Sequence, residues 1–170
     1  NKIINNSNQI KLSQNSELTL IEYNMSEKSK FFKNTFENIN IEQGSLLKSI
    51  TIQKNKSNGY FYKNISGIQG YNSSYQSFIL SSGLKFNKIE ININLEKENS
   101  TCYILSGLSL GKDEHQEIKT RINHLAPNCK SYQKIKNVLE NDSTGVYQGK
   151  IFVKDIAQKT DAYQLSKALI

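Results

Sequence analysis

Between Leu84 and Leu95 the chain alternates with a period of two: Ile89, Ile91, Ile93 and Leu95 fall on one side, and Lys88, Glu90, Asn92 and Asn94 on the other. Such a period predicts a strand with one buried face. The same alternation sets Leu18, Leu20 and Glu22 against Thr19, Ile21 and Tyr23, places Ile50 and Ile52 together, and runs through Ile118, Thr120, Ile122 and His124. Phe31–Ile41, Tyr60–Ile65, Tyr75–Leu80, Thr101–Leu105 and Val146–Val153 read as further short strands, rich in β-branched and aromatic residues. Polar or glycine-bearing segments separate them: Asn24–Lys30, Glu42–Ser45, Lys54–Gly59, Gly67 and Gly70, Ser81–Gly83, Glu96–Ser100, Glu140–Gly145 and Lys154–Asp155. Asn58-Gly59 is the strongest reversal signal among them. No window of about 12 residues has a helical period; Ser131–Leu139 comes nearest.

Strands recurring at roughly 8 to 12 residues predict an all-β protein. Periodicity does not separate a sandwich from a solenoid. Only 36% of the residues are hydrophobic and the mean hydropathy is −0.57, which suits a thin stack of small coils better than a thick interior. Asparagines scattered at turns suit a stack too, since side-chain amides can bond from coil to coil. The 170 residues fit one domain, 1–170. Residues 1–16 hold only Ile3, Ile4, Ile10 and Leu12 as large apolar side chains and read as an outer coil or a frayed start.

The net charge of +7 changes little about function. Of 22 basic residues only Arg121 is an arginine, and readers of phosphates and base edges favour the bidentate guanidinium, so nucleic acid is not an expected partner. Cys102 and Cys129 have neither the spacing of a zinc site nor the number of a disulfide framework, which points to a reducing compartment. No apolar run of about 18 residues and no signal-like start is present, so no membrane is expected and a cytoplasmic location follows, an organellar stroma being the eukaryotic equivalent. Gly107–Lys112 lacks the spacing of a phosphate loop.

Three runs carry a family resemblance: H-x-x-P-x-x-x-S at His124, Pro127 and Ser131; G-V-Y-Q-G-K-I from Gly145 through Gly149; and A-Q-K-T-D-A-Y-Q, which contains Gln158, Lys159, Thr160 and Asp161. Together they resemble the core of the SufB/SufD family, the scaffold subunits of the SUF machinery that assembles iron–sulfur clusters. The resemblance implies a right-handed parallel β-helix, a single-stranded β-solenoid, and it favours a strand for Ser131–Leu139. It also implies a SufB-like scaffold and a SufC-like ABC ATPase as partners, with an iron–sulfur cluster in the assembled complex. SufB-type chains carry a cysteine in a TQCDSLL-like run where this chain has Gln164–Leu169 without one, which favours the SufD-like branch. Glu117 stands where the family pattern leads to an aspartate. The family's cluster-handling C-x-H-G-like run, and the strands and helical segment that meet the partners, lie beyond Ile170. The chain is therefore read as a core fragment truncated on its C-terminal side, and its exposed terminal coil as a candidate surface for a homodimer of such fragments.

No catalytic, cofactor-binding or metal-ligating residue is expected within this chain. The nine motif positions, His124, Pro127, Ser131, Gly145, Gly149, Gln158, Lys159, Thr160 and Asp161, are expected to be structural. For His124 the alternative is cluster ligation together with Cys129, against hydrogen bonding at a coil corner. His115 reads as a surface residue and Cys102 as a core residue. Glu140, Asp142 and Asp161 would be the carboxylates of a polysaccharide-active β-helix enzyme, although they are dispersed where such chemistry needs a cluster; otherwise they serve turns. A purely structural or adhesive solenoid is the remaining alternative.

Overall fold

The computed structural model describes residues 2–27 and 30–170, and ten strands run through them. These are β1 (Lys2–Leu12), β2 (Glu17–Glu27), β3 (Phe31–Ile41), β4 (Leu46–Gln69), β5 (Ser74–Leu95), β6 (Thr101–Leu110), β7 (His115–His124), β8 (Lys130–Leu139), β9 (Thr144–Val153) and β10 (Asp161–Leu169). Every pairing among them is parallel. One stack runs β1, β3, the second half of β4, the second half of β5, β7, β9. The other runs β2, the first halves of β4 and β5, β6, β8, β10. A turn of the chain contributes one strand to each stack, and the result is the right-handed β-solenoid that the sequence resemblance implies, roughly six turns long.

In-register stacking turns the period of two into columns. Leu12, Ile41, Gln69, Leu95, His124 and Val153 form one, and Ile10, Ile39, Gly67, Ile93, Ile122 and Ile151 the next. The alternation read at Ile89–Leu95 points inward as expected, all four residues being buried. Gly67 is a column member inside β4, where the sequence led to a break. A Cβ there would sit 2.9 Å from Ile93 Cδ1 and 3.3 Å from Ile39 Cβ, so glycine lets two isoleucines close over the gap.

The largest departure from the sequence reading is at Lys54–Gly59. Asn58-Gly59 makes no reversal: β4 continues through it, with register shifts between Lys54 and Ser57 and between Ser57 and Tyr60. A hairpin would pair the two arms of β4 with each other, whereas each arm pairs with the next coil and the chain only has to bend. Glycine at 59 instead makes room for the Phe31 ring, which a Cβ would strike. The Ser81–Gly83 break is likewise a bend within β5, made at Gly83 with φ 77°. β2 also runs on to Glu27, past the start of the connector expected from Asn24; Lys28 and Ser29 of that connector lie outside the described residues.

The corner leading from the first stack to the second repeats in every coil. Asn15, Gly44, Asn72, Asn99, Asn128 and Lys159 hold positive φ there, between 51° and 68°, a conformation open to glycine and tolerated by asparagine. Each of the first five donates its amide to the carbonyl just before the equivalent residue of the following coil: Asn15 to Gln43, Gly44 to Tyr71, Asn72 to Glu98, Asn99 to Pro127 and Asn128 to Gln158. Backbone groups that a loop would leave to water are thereby satisfied along the stack.

Candidate functional site

Two of the three family motifs fall on this corner, in coils five and six, and the third, Gly145–Ile151, runs along β9. His124 closes β7, residues 125–129 make the turn, and Ser131 enters β8 as its first inward side chain. His124 is fully buried, and its Nε2 lies 2.8 Å from Ser131 Oγ. Burial holds its pKa below the ordinary 6.5, because a charged ring has no water to solvate it. The other ring nitrogen, Nδ1, is buried with no hydrogen-bond partner among the described residues. Cys102 stacks beside Ser131 from the preceding coil, and burial pushes its thiol up, away from the thiolate that metal or cluster ligation requires.

Cys129 occupies a place that serine fills elsewhere. The residue following each positive-φ position is Ser16, Ser45, Ser73, Ser100, Cys129 and Thr160. Ser73 Oγ donates to the Gly70 carbonyl at 2.8 Å, Ser100 Oγ to Lys97 at 2.9 Å and Thr160 Oγ1 to Ala157 at 2.9 Å. The Cys129 thiol faces the Lys97 and Pro127 carbonyls at 3.3 and 3.5 Å and lies 3.2 Å from Ser100 Oγ. It stands in for a hydroxyl with a softer, weaker donor.

The remaining motif positions lie in the same corner or on β9. Pro127 and Gln158 supply the carbonyls of the corner ladder, Lys159 takes the positive-φ position (56°), Thr160 caps the turn, and the Asp161 amide bonds to the Cys129 carbonyl at 3.1 Å. Gln158 also folds its Nε2 onto the Asp155 carbonyl at 2.6 Å. On β9, a Cβ on Gly145 would press against Leu139 Cδ2 at 3.0 Å, and one on Gly149 would lie 2.5 Å from the Tyr147 hydroxyl. That hydroxyl crosses the interior to Gln133 Oε1 at 3.2 Å, so Gly149 clears its path.

The structure does not bring the three carboxylates together. Glu140 and Asp142 are exposed on the β8–β9 turn, and Asp161 is exposed at the opposite corner, at the start of β10. Among the described residues no group of three or more His, Cys, Asp or Glu is placed to hold a metal ion. Nor do they hold a helix long and apolar enough to cross a membrane. His115 is half-buried on the outer surface and stacks on Phe86 at 5.1 Å between ring centroids.

Sequence reasoning missed a charged cluster in the interior. Lys63 is fully buried, with Nζ 2.7 Å from Glu22 Oε2 and 3.3 Å from the equally buried Glu37 Oε2; Lys33 reaches Glu22 Oε1 at 3.5 Å. Burial by itself raises the Glu22 carboxyl, and Lys63, Asn24 and Lys33 together override it and hold the group below its usual range. The one signal was Glu22 itself, which shares the face of Leu18 and Leu20.

A family model described as the SUF system FeS cluster assembly, SufBD core domain, matches residues 1–170. A search of curated proteins returned no match. With parallel coils, corner ladder and family motifs in one register, the chain belongs to the SufB/SufD family of the SUF iron–sulfur cluster assembly system.

Proposed function

We propose that this chain is the rigid core of a SufD-like scaffold subunit, without a catalytic step of its own, that helps hold a SufB-like scaffold and a SufC-like ATPase in one cytoplasmic complex. The observation that carries this reading is the family match over the whole chain together with the use to which the motif residues are put. His124 Nε2, the Ser131 and Thr160 hydroxyls, the Gln158 side chain and backbone groups of Pro127, Gln158 and Asp161 all bond within the coil corner, which supports a positioning surface. The cluster is then cargo of the assembled complex, held by residues other than these. Gln164–Leu169, which lacks the SufB-type cysteine, supports the SufD-like branch.

Affinity purification of the parent protein from its own cells tests the reading. An ABC-type ATPase and a second β-solenoid subunit should copurify in stoichiometric amounts. Isolation of the protein without them, or turnover of an acidic glycan by the pure protein, would replace the scaffold by one of its rivals.

A further inference from the structure

The outer faces of the two stacks differ in character. Outside the first stack, an aromatic column, Ile3, Phe32, Tyr60, Phe86 and His115, runs along one edge, and the columns beside it are bound by polar ladders: Lys88 bridges Glu90 and Glu117, both at 3.1 Å, and Asn123 bonds Asn92 and Asn94 at 3.1 and 2.7 Å. Outside the second, two adjacent columns are apolar over the first four coils. One is Ile21, Ile50, Phe78, Leu105, and the other Tyr23, Ile52, Leu80, Gly107. Ile21 is 61% exposed, Tyr23 55% and Leu80 44%. Scattered apolar side chains need no explanation, but a strip continuous across four coils marks an interaction surface.

Gly107 gives the strip its shape. It stands between Leu80 and Lys136 in its column, and a Cβ there would meet only Leu80 Cδ2, at an ordinary 3.8 Å. Its φ is not positive, so neither conformation nor crowding requires glycine. The missing side chain opens a groove of about 450 Å³ walled by Ile52, Leu80 and Val138, with Lys54 and Lys136 at its sides. Both lysines are exposed, and neither forms an ion pair among the described residues. Further along the same columns lie Lys134 and Lys167.

We infer that this groove receives an acidic amphipathic segment of a partner protein, which inserts a leucine-sized side chain over Gly107 and sets carboxylates against Lys54 and Lys136. Charge complementarity selects that occupant. A second copy of this chain would bring another net +7 to a lysine-flanked face. A lipid surface fits poorly, because it takes protruding apolar side chains and here the apolar walls enclose a hollow. The inference does not depend on the scaffold reading.

The test measures fluorescence anisotropy of two labelled helical peptides with the same leucine stripe, one carrying glutamates and the other lysines on the polar face. The glutamate peptide should bind the parent protein and the lysine peptide should not. Gly107→Trp, which fills the groove, should weaken binding at least about tenfold, and Lys54→Glu with Lys136→Glu should reverse the preference. Unchanged thermal melting separates both variants from misfolding; should Gly107→Trp fail to fold, Gly107→Leu replaces it. Equal binding of both peptides, binding of neither, or indifference to both sets of substitutions would overturn the inference. So would self-association that the groove variant abolishes, and so would binding to phosphatidylserine vesicles that it leaves unchanged.

Discussion

A hydroxyl or thiol follows every positive-φ residue of the corner, and at five of the six coils its identity is serine or threonine. Cys129→Ser should therefore leave stability within about 1 kcal/mol of the original, since it restores the commoner residue and a stronger donor; denaturant unfolding measures it. A loss well beyond that would mean the thiol has a role the corner does not explain. His124 makes a prediction about pH. Its folded pKa is below 6.5, so as pH falls through that value the unfolded chain takes up a proton that the folded one refuses. The contribution is fully present above the unfolded pKa and is lost as pH falls toward the folded one, at no more than about 1.4 kcal/mol per pH unit for one proton. Urea midpoints taken between about pH 8 and about pH 5.5 should fall, and His124→Gln should flatten that fall. The Glu22 carboxyl, held low, acts in a lower window: its contribution is present above the ordinary carboxylate range and lost as pH falls through the depressed value. Equal slopes in the two proteins would show that His124 is not the group responsible.

At the scale of the element, the corner column and the buried cluster each carry a cost the rest of the coil offsets. Lysine is the least suited of the six positive-φ residues, lacking both the freedom of glycine and the short side chain of asparagine. Lys159→Asn should be neutral or raise the melting temperature, while Asn128→Val should lower stability by roughly 1–2 kcal/mol. The cluster behaves differently. Removing the Lys63 ammonium leaves the Glu37 carboxylate buried without its counter-charge, so Lys63→Met should cost on the order of 3–5 kcal/mol, and a second substitution, Glu37→Leu, should recover much of it. A double-mutant cycle by thermal unfolding reads both numbers. These elements also show what a sequence can display. The strand at Ile89–Leu95 was legible because each step of its period is local. Asn58-Gly59 misled because the dipeptide reports a local bend and not which strands pair across it. The cluster was hidden because Lys63 meets Glu22 across 41 residues of chain, a distance no periodicity encodes. The corner ladder lay in between: the pairs Asn15-Ser16, Asn72-Ser73 and Asn99-Ser100 are visible in the sequence, but their meaning depends on coils of 26 to 31 residues coming into register.

For the whole molecule, stacking makes a bar whose residues serve their own and neighbouring coils, with two long faces of unlike chemistry. One face carries polar ladders beside an aromatic column; the other offers an apolar, lysine-flanked groove. The interior holds histidine, cysteine and carboxylates; His124 Nε2, the Cys129 thiol and the Thr160 hydroxyl bond within the corner, while His124 Nδ1 has no partner among the described residues. In the scaffold proposed above, the motif residues build the coil corner and leave the cluster to others. The most direct test is the iron and acid-labile sulfide content of the anaerobically purified SUF complex containing the parent protein, compared with the same complex carrying His124→Asn and Cys129→Ser together. Cluster content and subunit stoichiometry should both be unchanged. A complex that assembles fully but loses its cluster would contradict this and make His124 and Cys129 ligands.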